Sequence, residues 1–407
     1  MAGLRRVFVG RDSELELLRA TYRRAVATSE PHLVTLVGEP GVGKSRLIRE
    51  LPVTLSEEEP APLAGEQGGD GRTDITYWPL GEVVREELGL REGAGADELR
   101  DGLAGREILG LALGLDVAPG LHPLDAREQL HVAAVRFVEE LAQRRPTTLL
   151  VEDVHWAEPD LLDLLERVLE DVHAPLLVLA TARPEMLVER PAWGAAKRNS
   201  TVLWLGPLPQ ESAAELLEGM LSSALPEELL RSLVARADGN PFFLEELVGE
   251  LVDSGVLVEQ GDGWALCDPE APLPMPDTAH AVLAARIDRL PATEKAALQA
   301  GAVVGRVFWT GPVVHLLDGE EPDFGVLEER DLVTERRGSR MDGREFVIKH
   351  ALTREVAYGS IPKARRGRLH ASFADWLERD VAAADERAPL LAYHYSEAAS
   401  PADADLV

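Results

Sequence analysis

The stretch Gly38-Glu39-Pro40-Gly41-Val42-Gly43-Lys44-Ser45 constrains this chain more than any other. It meets the pattern G-x-x-x-x-G-K-[ST] at every fixed position. Before it, Leu33-Val34-Thr35-Leu36-Val37 is a short apolar, β-branched run that predicts a buried strand. After it, Ser45-Arg46-Leu47-Ile48-Arg49-Glu50-Leu51 predicts a helix with an apolar face. A strand, a glycine-rich loop and a helix in that order aim backbone N–H groups and a helix N-terminus at phosphates. The glycines let the backbone close round the anion with no Cβ in the way. Within the pattern Lys44 reaches the β- and γ-phosphates and Ser45 puts its hydroxyl on Mg²⁺. Only five of the 42 basic residues are lysines, and one stands here. The niche wants a compact ammonium rather than a planar guanidinium fork.

Length and charge set the outer limits. A chain of 407 residues exceeds what one core usually holds, so two to four domains are expected. A formal net charge of −29 argues against broad binding to nucleic acid or to anionic membranes, which calls for a basic footprint. Cys267 is the only cysteine, so no intrachain disulfide can form, which suits a reducing cytoplasm. Met1-Ala2-Gly3-Leu4-Arg5-Arg6 lacks the apolar region of a signal peptide, and no apolar run approaches the ~18 residues of a membrane span. The last residues stop without a clear terminator, as a segment of a longer protein would.

The rest of the chain arranges itself around the loop. Phe8-Val9-Gly10-Arg11 leads into a helix over 13–27, with Asp12 or Ser13 as its cap and Leu15, Leu18 and Tyr22 on its apolar side. Residues 51–74 are rich in Pro, Gly and acid and read as a surface loop with a weakly written strand. Pro79 opens a helix, helical patterns run to about Gln143, and Leu109 to Leu115 reads as buried helix or turn. Thr147-Thr148-Leu149-Leu150-Val151-Glu152-Asp153 is an apolar strand ending in two acids. This is the Walker B form, in which one carboxylate holds Mg²⁺ and its neighbour polarises the attacking water. By position Glu152 takes the metal role and Asp153 the water-activating role, although the usual order puts aspartate first. His155 and Trp156 follow, with packing or a satisfied hydrogen bond expected for the histidine.

A third buried strand, 175–182, delivers Arg183 to its carboxyl end, the edge at which open α/β sheets bind ligands. There it is placed to read the γ-phosphate, or to serve as an ordinary loop arginine. A last strand over 202–205 and a Gly-Pro linker close this part. Helices then run to about Gly255, broken at Asp238-Gly239-Asn240-Pro241, and a small hairpin follows over 256–266. A proline-rich linker, 268–277, precedes short helices over 280–289, 293–304 and 327–332, a strand over 346–349 and a helix over 350–358. Three helices and a small wing predict a winged-helix domain. An amphipathic helix pair ends the chain, and the basic run 363–368 reads as a solvated helix face.

The order of motifs resembles the STAND class of signal-transducing P-loop ATPases, a branch of the AAA+ superfamily. Phe8-Val9-Gly10-Arg11 looks like the class's opening motif, whose backbone lies near adenine. Gly38 to Ser45 is similar to Walker A, and Glu152-Asp153 to Walker B. Arg183 stands at the sensor-1 position, and Gly239-Asn240-Pro241 resembles the G-x-P motif whose proline packs on adenine. His350 stands where the class's winged-helix histidine touches the ADP β-phosphate. Thr76-Tyr77-Trp78-Pro79-Leu80 and residues 349–358 are similar in wording to the ATPase module of bacterial adenylate/guanylate cyclase-like proteins and of large LuxR-type regulators. A departure lies at 65–73, where such proteins carry a more regular strand and turn.

The resemblance implies an α/β P-loop domain over 1–206, a helical lid over 207–267, a winged helix over 268–361 and the start of a TPR-like helical region over 362–407. It implies a slow ATPase acting as a switch, closed by ADP and opened by ATP, with Mg²⁺ as cofactor. Expected partners are the nucleotide, a second copy on ATP binding, and a cyclase or DNA-binding output domain in the same or a neighbouring chain. Two other readings stay open: an AAA+ motor or loader acting on DNA, and a nucleotide-binding scaffold without turnover.

Overall fold

The structure, a computed structural model, describes residues 7–54, 63–64, 77–90, 96–115, 117, 120–194, 199–221, 225–260, 263–268, 276, 278–336, 343–380 and 388–399. Its first part is a parallel sheet of β1 (His32–Val37), β2 (Leu63–Ala64), β3 (Thr147–Val151), β4 (Leu176–Ala182) and β5 (Ser200–Trp204). The spatial order is β2-β3-β4-β1-β5. Every residue of β1, β3 and β4 is buried. That explains their unbroken apolar wording, since a parallel sheet is covered on both faces. Alternate residues of β1 feed different cores. Leu33 and Val37 join the helices Trp78–Glu87, Pro123–Arg144 and Pro159–Asp171, whereas Val34 and Leu36 join Asp12–Thr28 and Lys44–Thr54. Thr35, a buried polar side chain within β1, accepts a hydrogen bond from the buried Trp193 Nε1 at 3.0 Å.

Some local expectations change. The weakly written second strand is present, two residues long, paired to Thr148 and Leu149 of β3. The residues 65–73 lie outside the described part. The first helix spans Asp12–Thr28, so Asp12 is inside it and Arg11 is its N-cap, with no side-chain cap. Ser13 Oγ instead donates to Glu14, at 2.7 Å.

After β5, the helices Gln210–Leu221, Glu227–Ala237 and Pro241–Asp253 share a core of their own, edged by a hairpin of β6 (Leu257–Gln260) and β7 (Gly263–Leu266). A further core surrounds an antiparallel sheet of β8 (Val307–Trp309), β9 (Val333–Arg336) and β10 (Glu345–Ile348), in the order β8-β10-β9. The helices Ala292–Val304, Thr310–Leu316, Phe324–Glu329 and Ala351–Gly359 pack on it. The sequence reading anticipates β10 but not β8, β9 or the helix Thr310–Leu316. β10 shows as the apolar run Phe346-Val347-Ile348, whereas β9, Val333-Thr334-Glu335-Arg336, is mostly polar and β8 has three residues, too few to show a period. Phe242, from the lid, is part of this last core and ties the two together. No described helix is long and apolar enough to cross a membrane.

The helices Lys363–Asp380 and Ala388–Ala399 pack on each other through a buried histidine pair, His370 and His394, with Nδ1 atoms 2.7 Å apart. Tyr358 OH lies 2.9 Å from His370 Nε2, so both ring nitrogens of His370 are engaged. Burial pushes the His370 pKa down to about 4 and that of His394 to about 3, from 6.5. Both folded values lie below the unfolded one. Their contribution to stability is therefore present above about pH 6.5 and is lost as the pH falls toward 4 and 3. Denaturant titrations across that window should show the parent chain losing stability more steeply than His394→Asn, whose amide does not titrate. Parallel curves would show that the pair does not protonate on unfolding.

Candidate nucleotide site

The loop 38–45 leaves β1 at the carboxyl edge of the sheet. Gly41 and Gly43 have φ of +84° and +100°, values that only glycine adopts without strain. A Cβ on Gly41 would meet Asn240 Oδ1 at 2.7 Å, whereas no atom lies within 4 Å of one on Gly43. The loop is thus tight on its lid side and open on the other. Lys44 is buried, and its Nζ donates to the carbonyls of Gly38 at 2.6 Å and Glu39 at 3.1 Å. Burial lowers its pKa, opposed chiefly by the Asp153 carboxylate. Ser45 is half-buried in the first turn of the helix Lys44–Thr54. Arg46 turns along the helix to Glu50, at 2.5 Å.

β3 and β4 bring the other predicted groups to the same edge, since β4 lies directly between β1 and β3. Glu152 is buried, while Asp153 sits in a left-handed turn with φ +53° and is half-buried. The Asp153 N–H donates to Thr181 Oγ1 of β4 at 2.7 Å, which holds that turn. Burial raises the Asp153 pKa to about 6, aided by Glu152 and opposed by Arg306, Lys44 and Arg183. His155 meets the first of its two expectations, packing, and not the second. It packs against Trp156, but neither of its buried ring nitrogens has a hydrogen-bond partner. Burial takes its pKa down to about 4, so the ring is neutral at pH 7, with Nδ1 4.0 Å from Asp153 Oδ1.

Arg183 emerges from β4 as predicted and lies over the Trp156 ring at 5.9 Å. Its guanidinium is paired with Glu355 of the helix Ala351–Gly359. Arg11 is committed too. It donates to Glu14 at 2.9 Å, to the Val42 carbonyl of the loop at 3.4 Å and to the carbonyl of Gly206. Val9 packs on the lid core, and a Cβ on Gly10 would meet Ser212 at 2.5 Å. The opening motif therefore braces the loop and the lid through its side chains.

The lid reaches the loop through Gly239-Asn240-Pro241. Asn240 Nδ2 donates to the Pro40 carbonyl at 3.0 Å, and Phe242 N donates to the Gly41 carbonyl at 3.2 Å. Asn240 Oδ1 also accepts from Phe243 N at 3.1 Å, capping the helix that Pro241 begins. His350 leaves its own sheet and packs on Phe242, ring centroids 4.4 Å apart. It is the N-cap of its helix without a side-chain cap bond. Burial, helped by Arg306 and Lys349, depresses its pKa to about 3, which removes the protonated form from consideration at neutral pH.

Sequence reasoning missed two side chains. Arg306, buried after the helix Ala292–Val304, donates to the carbonyls of Ile348 at 3.3 Å and Lys349 at 3.4 Å. Its charge acts on both Asp153 and His350. Glu355 is the other. No local pattern marks either, because the partners are distant in sequence, 42 residues away for the Ile348 carbonyl on Arg306 and 172 for Arg183 on Glu355.

The residues present fit a nucleoside triphosphate with Mg²⁺. The fit is local: a Cβ-free cradle, a helix N-terminus, a lysine hydrogen-bonded to neutral carbonyls, an acid pair and an orphaned histidine. A charged phosphate oxygen is a stronger acceptor for Lys44 than those carbonyls.

Residues 7–179 match the family model for an AAA ATPase domain, and residues 209–263 match a domain of unknown function (DUF8739). Residues 7–179 are thus an AAA ATPase domain, and the fold is the AAA+ P-loop fold. Across 397 residues the chain is 26% identical to an uncharacterised protein of Rhizobium meliloti (strain 1021), covering 89% of this chain and 36% of that protein. The chain spans about a third of that relative's length. In structure it is similar to a STAND protein with a tetratricopeptide repeat sensor from Pyrococcus horikoshii, with TM-score 0.54 and 16% identity. That match covers 98% of this chain and 49% of the other. A looser likeness, TM-score 0.44 at 16% identity, is to the Aeropyrum pernix ORC1 protein in complex with DNA, covering 88% of this chain and 94% of that one.

Asn240→Ala removes the bond to the loop and the helix cap together. We expect a loss of about 1–2 kcal/mol in stability, read by denaturant titration. Nucleotide affinity should fall with it, since the loop loses its lid-side brace. Unchanged stability would show that the brace carries nothing.

Proposed function

We propose that this chain is an ATP-binding, slowly hydrolysing conformational switch, closed with ADP and open with ATP. One observation carries the reading. The phosphate edge of the sheet is touched at once by the lid, through Asn240 and Phe242, and by the C-terminal unit, through Glu355 on Arg183. A change at the phosphates is thereby felt in two other parts of the chain. The units are the nucleotide domain, 1–206; the lid, 207–267; a winged helix, 268–361, built on the β8-β10-β9 sheet; and the start of a helical region, 362–407.

Lys44 and the loop N–H groups bind the phosphates, with Pro241 and Val9 to Arg11 flanking the base. Ser45 and Glu152 would hold Mg²⁺, which would supply charge neutralisation at the phosphates. Asp153 orients and polarises the attacking water, while Arg183 reads the γ-phosphate. A neutral His350 donates one hydrogen bond to the β-phosphate. Output comes from a cyclase or DNA-binding domain in the same or a neighbouring chain, with self-association in the ATP form.

Calorimetry on Lys44→Ala tests the site. A charge-assisted hydrogen bond contributes about 1.5–3 kcal/mol, so affinity should fall roughly ten- to hundredfold. Equal affinity would remove the phosphate-loop assignment. Asp153→Asn should keep binding and suppress single-turnover hydrolysis, because an amide cannot take up a proton as a carboxylate does. If Glu152→Gln gives that result and Asp153→Asn loses Mg²⁺, the two roles are exchanged.

A further inference from the structure

The helix Ala351–Gly359 faces two ways. Leu352, Thr353, Val356 and Ala357 are buried. Arg354 Nε donates to the Ala302 carbonyl at 3.0 Å, so this side of the helix is anchored in its own unit. Glu355 goes the other way and takes the Arg183 guanidinium, 172 residues distant in sequence. Both side chains are largely covered, 22% and 28% exposed. Arg183 stands at the end of the strand next to β1, over Trp156, and its charge acts on Lys44, Asp153 and His155. Glu355 therefore brings a carboxylate to the edge at which a terminal phosphate would lie.

We propose that Glu355 is a positioning residue that gates ATP against ADP: its carboxylate occupies Arg183 in the closed form, so a γ-phosphate must displace it before Arg183 can bind that phosphate. The inference rests on the switch reading above and gives it a latch. Both groups are anions competing for one planar guanidinium, and a carboxylate and a phosphate suit the same fork. Two like charges at one edge also repel, so ATP and the Glu355 contact exclude each other, while ADP leaves the contact intact. The anchored face of the helix holds Glu355 at this edge from its own unit. Release of Glu355 removes the tie between this helix and Arg183 of the nucleotide domain.

Two measurements on the full chain test this. In the first, Kd values for ATP and ADP are compared between the parent and Glu355→Gln, which keeps the shape and removes the charge. The ATP/ADP ratio of Kd values should fall at least about fivefold, the low end of ordinary coupling between sites. Ratios that agree, with binding still measurable, would overturn the proposal. In the second, no nucleotide is added. The single reversals Arg183→Glu and Glu355→Arg should each raise the rate of limited proteolysis between the two units, and the double reversal should restore the parent rate. A double reversal as labile as the singles would overturn the latch. If neither nucleotide binds the parent, the switch reading fails, and the latch stands or falls on the second measurement.

Discussion

Everything at the phosphate edge depends on β1 being held rigidly between β4 and β5. Gly38 N donates to the Ala182 carbonyl at 3.3 Å, and Leu205 N donates to the Val37 carbonyl at 2.8 Å. The first residue of the loop is therefore pinned from both sides as it leaves the strand. A Cβ on Gly38 would approach the Leu205 carbonyl to 2.6 Å, so glycine is required there by crowding. With its root fixed, the loop can turn through left-handed glycines and present its N–H groups in one direction. Arg11 and Asn240 then act as outer braces on its carbonyls. A loop held this way has few alternative shapes, which is what preorganised binding of an anion needs.

The same pinning explains how one chain can couple three cores. The lid core and the C-terminal core share Phe242, whose N–H bonds the loop and whose ring carries His350. Moving the loop, the lid or His350 independently would break a contact made by this one residue. Packed elements switch between discrete arrangements more readily than they deform. A residue shared by loop, lid and C-terminal unit is the natural point for such a step.

How legible this was in the sequence varies with distance along the chain. The loop, the buried strands and the acid pair were readable because each is a local pattern set by a local cause, such as burial on both faces or glycine at positive φ. His350 opens a helix directly after β10, as the sequence reading has it, but no local pattern marks its partner Phe242. The cap of the first helix was misplaced because Arg11 was drawn off to the loop carbonyl of Val42, a tertiary demand overriding a local preference. Arg306 and Glu355 looked like ordinary charged residues. Their meaning comes only from being brought to the sheet edge by a separate core.

That edge carries an unusual concentration of opposed charge for a chain so acidic overall. Lys44, Arg183 and Arg306 face Glu152, Asp153 and Glu355, with His155 and His350 kept neutral by burial. Of the three cations Arg183 alone is paired with a carboxylate, that of Glu355, whereas Lys44 and Arg306 donate to backbone carbonyls. A buried charge deprived of its partner is costly, far more than the pair itself is worth. Bringing phosphates to this edge gives the cations new anionic partners, and the carboxylates must then give way, take Mg²⁺ or move out to solvent. Glu152 and Asp153 are fixed to a buried strand and cannot leave. Glu355, on a separate unit, is the one carboxylate of the three that can, and its departure removes the tie between that unit and Arg183.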